Sequence, residues 1–129
     1  MVRAAIYASE APGRWGATSV ARQVGCLAGE IARRPGWCHV ATYVDCCEAW
    51  RVERPGLWRL LGEAPGRIDV VVVDGCARLS VDRRALDALA AHLHAVGVQV
   101  AVLRPSAGRR VAKVLANLAL ADLIGEAAR

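Results

Sequence analysis

The stretch Asp69-Val70-Val71-Val72-Val73 decides the fold of this chain. Successive side chains of a strand point to opposite faces, so a run that is apolar at every position needs cover on both sides. β-Branched residues favour the extended backbone. A strand buried on both faces belongs to a sheet sandwiched by helices, and the flanking sequence supplies them. Upstream, Ala4 to Ala8 is a short apolar run ending in turn-prone residues, and His39 to Val44 reads as a second strand. Downstream, Val98 to Leu103 reads as a fourth. Between these runs, Val20, Val24, Leu27 and Ile31 recur at helical spacing behind a Thr18 or Ser19 cap, and Pro35-Gly36 stops the helix. Pro55 opens a short helix through Leu57, Leu60 and Leu61. Asp82 can cap a helix carrying Leu86, Leu89, Ala90, Leu93 and Val96 on one side, and a last helix is expected from about Ala107.

Strand and helix alternate throughout, which predicts an α/β fold with a mainly parallel central sheet in three layers and a long C-terminal helix. In such sheets the crevice lies at the carboxyl ends of the strands. Ser9 to Trp15, Asp45 to Arg54 and Asp74 to Val81 are therefore expected around one cleft.

A chain of 129 residues with 55% hydrophobic and 22% charged content reads as one domain spanning 1–129, with no DNA-reading module after it. No apolar run approaches the roughly 20 residues of a membrane span, and the N-terminus lacks a signal-peptide pattern, so a cytoplasmic protein is expected. The net charge is +5, and of 17 basic residues only Lys113 is a lysine. The charge is modest and no block of like charges appears, which fits a solvated arginine-rich surface better than a nucleic-acid or phosphate partner. The five cysteines are an odd number without secretory context, so no disulfide framework is expected.

The opening strand, Tyr7-Ala8-Ser9-Glu10-Ala11, resembles the Tyr-Ala-Arg-x-Ser signature of serine recombinases of the resolvase/invertase class. Ser19-Val20-Ala21-Arg22-Gln23 is similar to the family's Ser-Leu-x-x-Gln helix start. Tyr43-Val44-Asp45 opens a loop closed, as in the family, by Arg54-Pro55-Gly56-Leu57. The residues from Ala77 to Asp82 resemble its Asp-Arg-Leu-x-Arg-Asp motif. The resemblance covers nearly the whole chain and implies the resolvase-like fold. It also implies that Gln23, Arg54 and Arg78 stand at active-site positions. The family's arginines there bind the scissile phosphate and stabilise its transition state, work suited to a planar, permanently charged donor.

Other positions depart from the pattern. Ala11 stands where the family has its nucleophilic serine, Ser9 replaces an arginine, Ala77 the motif aspartate and Val81 its second arginine. Glu48-Ala49 replaces a Ser-Gly pair, and Leu120-Ala121 replaces a Glu-Arg pair on the last helix. That helix, with Val111, Val114, Leu115, Leu118, Leu120, Leu123 and Ile124, has little polar face, which suits a buried helix or a homodimer contact rather than DNA. A scaffold without its nucleophile cannot perform the covalent step. Ser9 lies two residues earlier, displaced by roughly 6–7 Å along the strand, too far for in-line attack.

What fills the cleft loops instead is aromatic and thiol-bearing: Trp15, Cys46, Cys47, Trp50 and Cys76, with Trp58 nearby. Such residues, with Arg54 and Arg78 as anchors and Asp74 or Asp82 as a general base, the latter equally explained as a helix cap, describe a pocket for a small anionic or aromatic ligand. A cysteine beside arginine gains thiolate character, which marks Cys76. The same tryptophans can equally cover apolar surface on loops without function. Cys26, on an apolar helix, reads as core, and His92 and His94 as surface. Cys38-His39 with Cys46-Cys47 does not have zinc-motif spacing, so neither metal nor cofactor is expected.

Three functional readings follow. The first, preferred on the cleft composition, is a repurposed cleft that binds or transforms a small molecule, with DNA binding weak or absent. The second is an inactive regulatory or dimerisation subunit of site-specific recombination. The third is a recombinase catalytic-domain fragment.

Overall fold

Strand β1 (Val2–Ser9) runs through the middle of the sheet. It pairs in parallel with β2 (Trp37–Asp45) on one side and with β3 (Val70–Val73) on the other, and β3 pairs in parallel with β4 (Gln99–Val102). The order is β2-β1-β3-β4. Three helices connect the strands: α1 (Gly16–Ala32), α2 (Pro55–Glu63) and α3 (Arg83–Ala95). The computed structural model describes residues 1–11, 16–46, 54–75, 78–79 and 82–103. The expected last helix lies outside them. Among the described residues no helix is long and apolar enough to cross a membrane.

The two-sided burial expected of β3 is met: its four valines are at most 3% exposed. Val71 and Val73 join Ala5 and Tyr7 of β1 in a core packed against Leu57 and Leu60 of α2 and Leu86, Ala90 and Leu93 of α3. Val70 and Val72 join Ala4 and Ile6 in a second core under Leu27 and Ile31 of α1. The alternation of side chains along β1 and β3 thus divides the molecule into three layers. Each fully buried valine contributes roughly 1.5–3 kcal/mol of transfer free energy.

One irregularity sets up the site. The β1/β2 register shifts between Ala4 and Ala5, whose partners are His39 and Ala41, leaving Val40 as an extra residue that is 45% exposed. A one-residue slip exchanges the two faces of a strand. Beyond the bulge, Tyr7 lies beside Tyr43 and Ser9 beside Asp45.

The helix ends follow local chemistry. Asp82 accepts a hydrogen bond from the Arg84 amide at 3.0 Å, capping α3 as expected. At its other end the Val98 amide donates to the Leu93 carbonyl and the Gly97 amide to that of His94. This turn needs a left-handed residue, and Gly97 has φ of 82°. Helix α1 begins at Gly16, so Ser19 sits inside its first turn rather than at its cap. Strand β2 is longer than expected at both ends, while β3 and β4 are shorter. His92 and His94 are exposed, as read from their spacing. Cys26 corrects an expectation: it is exposed. The buried arc of α1 is centred on Gln23, Leu27 and Ile31, and Cys26 falls just outside it.

Candidate functional site

At the carboxyl end of the sheet, the last residues of β1 and β2 meet the start of α2 and the turn at 78–79. The Asp45 carboxylate faces the first turn of α2 and accepts hydrogen bonds from the amides of Gly56 (2.7 Å) and Leu57 (2.8 Å). Those amides have no partner within the helix, so Asp45 takes the role that an N-cap side chain would fill. Arg54, the residue at the cap position, makes no side-chain cap bond. Gly56 is required here, because a Cβ would lie 2.5 Å from the Val44 carbonyl oxygen.

The remaining Asp45 lone pairs receive the Tyr7 hydroxyl, which donates at 2.8 Å. Tyr7 in turn accepts from Arg54 through Nη2 at 2.8 Å and Nε at 3.2 Å. Arg54 is 3% exposed, and it donates also to the carbonyls of Leu79 and of Arg78, the latter at 2.7 Å. Burial pushes the Tyr7 phenol well above its ordinary range, opposed by the Arg54 hydrogen bonds and reinforced by Asp45. The hydroxyl therefore stays protonated and bridges cation to carboxylate. A guanidinium carries five N–H donors, and Arg54 turns its donors toward the protein's own oxygens.

A second network surrounds Arg78. Its Nε donates to Asp74 Oδ1 at 2.7 Å and its Nη2 to Oδ2 at 3.4 Å. Its Nη1 donates to the Ser9 carbonyl and to Glu10 Oε2, both at 3.1 Å. Asp74 first, and then Glu10, hold the Arg78 pKa above its usual value. The Ser19 hydroxyl donates to Glu10 Oε2 at 2.9 Å, and the Ala11 amide to Oε1 at 3.1 Å. These bonds, that of Ser19 foremost, keep the Glu10 carboxyl below its usual range. The cation thus faces two carboxylates.

Ser9 and Gln23 complete the arrangement. Gln23 is buried and makes a reciprocal pair with the Ser9 main chain, accepting from its amide at 3.2 Å and donating to its carbonyl at 3.0 Å. The Ser9 hydroxyl, on a residue 4% exposed, donates to the Arg78 carbonyl at 2.9 Å. Gln23 therefore anchors the end of β1 to α1.

Of the residues singled out from sequence, the structure gathers Ser9, Gln23, Arg54, Asp74 and Arg78 at this one end of the sheet. Cys46 is exposed and lines an open groove of about 510 Å³ with Thr42, Tyr43, Val44, Pro55 and Arg59. Trp58 is 55% exposed on the outer side of α2. Trp15, Cys47, Trp50 and Cys76 lie outside the described residues, as do Ala77 and Val81. Among the described residues no cluster of His, Cys, Asp and Glu is arranged to hold a metal. Sequence reasoning passed over three contributors: Tyr7, Asp45 and Glu10. A signal for the first was present, since Tyr7 is the one side chain with a polar atom in the apolar run Ala4 to Ala8. A buried phenol needs a partner. The other two read as loop residues, and only the bulge-shifted register brings Asp45 under the phenol.

Comparison with known proteins agrees with the fold. Residues 9–125 match the family model described as "Resolvase, N terminal domain". Among solved structures, the C-terminal catalytic domain of ISC1926 TnpA, an IS607-like serine recombinase, superposes with a TM-score of 0.71 at 24% identity, covering 78% of this chain and 70% of that one. The N-terminal catalytic domain of TP901-1 integrase gives 0.70 at 22% identity, covering 95% and 92%. A resolvase-family site-specific recombinase from Streptococcus pneumoniae gives 0.67 at 12% identity, covering 92% and 86%. No curated protein matches the sequence.

Proposed function

The chain belongs to the resolvase N-terminal domain family, and from that premise we propose that it is a non-cleaving recombinase subunit, a catalytic-domain scaffold that pairs with recombinase-fold chains without cutting DNA. One observation carries the reading: both arginines at phosphate-binding positions spend their hydrogen bonds inside the protein. Arg54 is buried against Tyr7 and two carbonyls, and Arg78 is held by Asp74 and Glu10. Transition-state stabilisation requires donors aimed at the reacting phosphate, and these are aimed elsewhere. Ala11 offers no hydroxyl at the nucleophile position, and the Ser9 hydroxyl is occupied by the Arg78 carbonyl.

The test is a chimaera in which this chain replaces the catalytic domain of a serine recombinase whose DNA site is known. The chimaera is expected to give no covalent protein–DNA adduct on that site, and to suppress cleavage when mixed with the intact recombinase. An adduct that disappears on Ser9→Ala would overturn the reading.

The small-molecule reading keeps one supporting observation, the groove beside Cys46 and Arg59. Its intended anchors, Arg54 and Arg78, are those already engaged internally. A thermal-shift screen of small anionic and aromatic compounds against this chain and its Cys46→Ser variant tests that reading. A stabilising compound whose effect is lost in Cys46→Ser would support it.

A further inference from the structure

Arg54 and Arg78 differ in one respect that matters for ligands. Arg54 is sealed at 3% exposure, whereas the Arg78 side chain keeps 28% and its partner Glu10 34%. Arg78 is thus a guanidinium at the mouth of the cleft, within reach of solvent anions. Its two carboxylate partners are not equivalent. Asp74 lies four residues before Arg78, and it takes both Nε and Nη2. Glu10, just past the end of β1, takes through a single oxygen the share of Nη1 that the Ser9 carbonyl leaves. It is held there by the Ser19 hydroxyl and the Ala11 amide.

We propose that Glu10 is a built-in counter-anion, a latch that occupies the open edge of Arg78 and closes it to oxyanions from outside. The proposal rests on the non-cleaving reading above and gives that reading its local cause. One cation with two carboxylates presents surplus negative charge, so an approaching phosphate meets repulsion as well as an occupied donor. Removing the Glu10 charge leaves Arg78 balanced by Asp74 and opens its Nη1 edge. Glutamine at this position keeps one oxygen to accept from the Ala11 amide, while its NH2 donates to the Ser19 hydroxyl oxygen and offers Arg78 no acceptor. Glu10→Gln therefore removes both the charge and the acceptor facing Arg78 while its two local partners stay satisfied.

The experiment is a titration of the whole chain with inorganic phosphate at low ionic strength, followed by NMR at the Arg78 Nε–H and by isothermal calorimetry. The wild-type protein is expected to bind too weakly to approach saturation in the millimolar range. Glu10→Gln is expected to bind about tenfold more tightly, the effect of a partly screened unit charge. The response should centre on the Arg78 signal, weaken with added chloride, and vanish in Glu10→Gln/Arg78→Gln. Should the double variant fail to fold, the position of the perturbed signal in the single variant decides the matter. Equal affinity in wild type and Glu10→Gln would overturn the latch, as would a response located away from Arg78. The covalent-adduct assay reports on strand cleavage alone, so the latch and the parent reading can each fail without the other.

Discussion

Strand β1 carries an arginine–aspartate network at each end, and the two could hardly differ more in setting. At the amino end, Arg3 forks onto Asp69, with Nε to Oδ2 and Nη2 to Oδ1 at 3.0 Å each, and both side chains are about two-fifths exposed, 42% and 38%. At the carboxyl end, Arg54 and Asp45 are 3% and 5% exposed and communicate through the Tyr7 hydroxyl. Water screens the first pair, and exposed ion pairs contribute little to stability. The second has no water to fall back on, so each lost partner leaves a buried polar group unsatisfied. The lesson concerns arginine itself: buried among the protein's own oxygens, it serves the architecture. In this chain Arg54 ties β1, the start of α2 and the 78–79 turn into one unit.

Mutations should separate the two ends sharply. Arg54→Ala should be the most damaging, costing about 4 kcal/mol by leaving buried carbonyls and a carboxylate without their cation; urea unfolding measures it. Should it prove as mild as a surface substitution, the contrast between the ends collapses. Gly56→Ala should come next, at about 2 kcal/mol, because the new methyl must displace the Val44 carbonyl and hence the end of β2. Tyr7→Phe should cost about 1–2 kcal/mol, removing the bridge while keeping the ring in the core. Its unfolding midpoint should fall with the denaturant slope unchanged.

The smallest effect is expected at the amino end, where it shows itself as a pH dependence. Hydrogen bonds from Arg3 hold the Asp69 carboxyl down at about 2. An aspartate in the unfolded chain titrates near 4. The stabilisation is therefore complete above about pH 4 and fades as pH falls through about 2. The stability difference between wild type and Asp69→Asn should shrink over that interval and be slight even at neutral pH.

Much of the site's composition was legible from residue order. Gln23, Arg54 and Arg78 were picked out by motif, and all three stand at the carboxyl end of the sheet. What they do there was not legible. The motif reading assigned the arginines to an external phosphate, whereas their described partners are Tyr7, Asp74, Glu10 and main-chain carbonyls. Glu10 and Asp45 carry no periodic signal, because single polar residues at strand ends look alike whether they face solvent or a buried guanidinium. Cys26 was misplaced for a related reason: an apolar helix has edges, and a residue just past the edge reads as core.

The linear chain by itself determined the layered parallel sheet, through four valines that need cover on both faces and helical periodicities that supply it. It determined as well that no hydroxyl stands at position 11, a matter of covalent identity. Only the tertiary structure decided which charges meet. A single extra residue at Val40 sets the register that lays Asp45 beneath Tyr7, and contacts across 69 positions bring Ser9 to Arg78. Hydrogen bonds act over about 3 Å, and no pattern of spacing along the chain records which distant groups come that near.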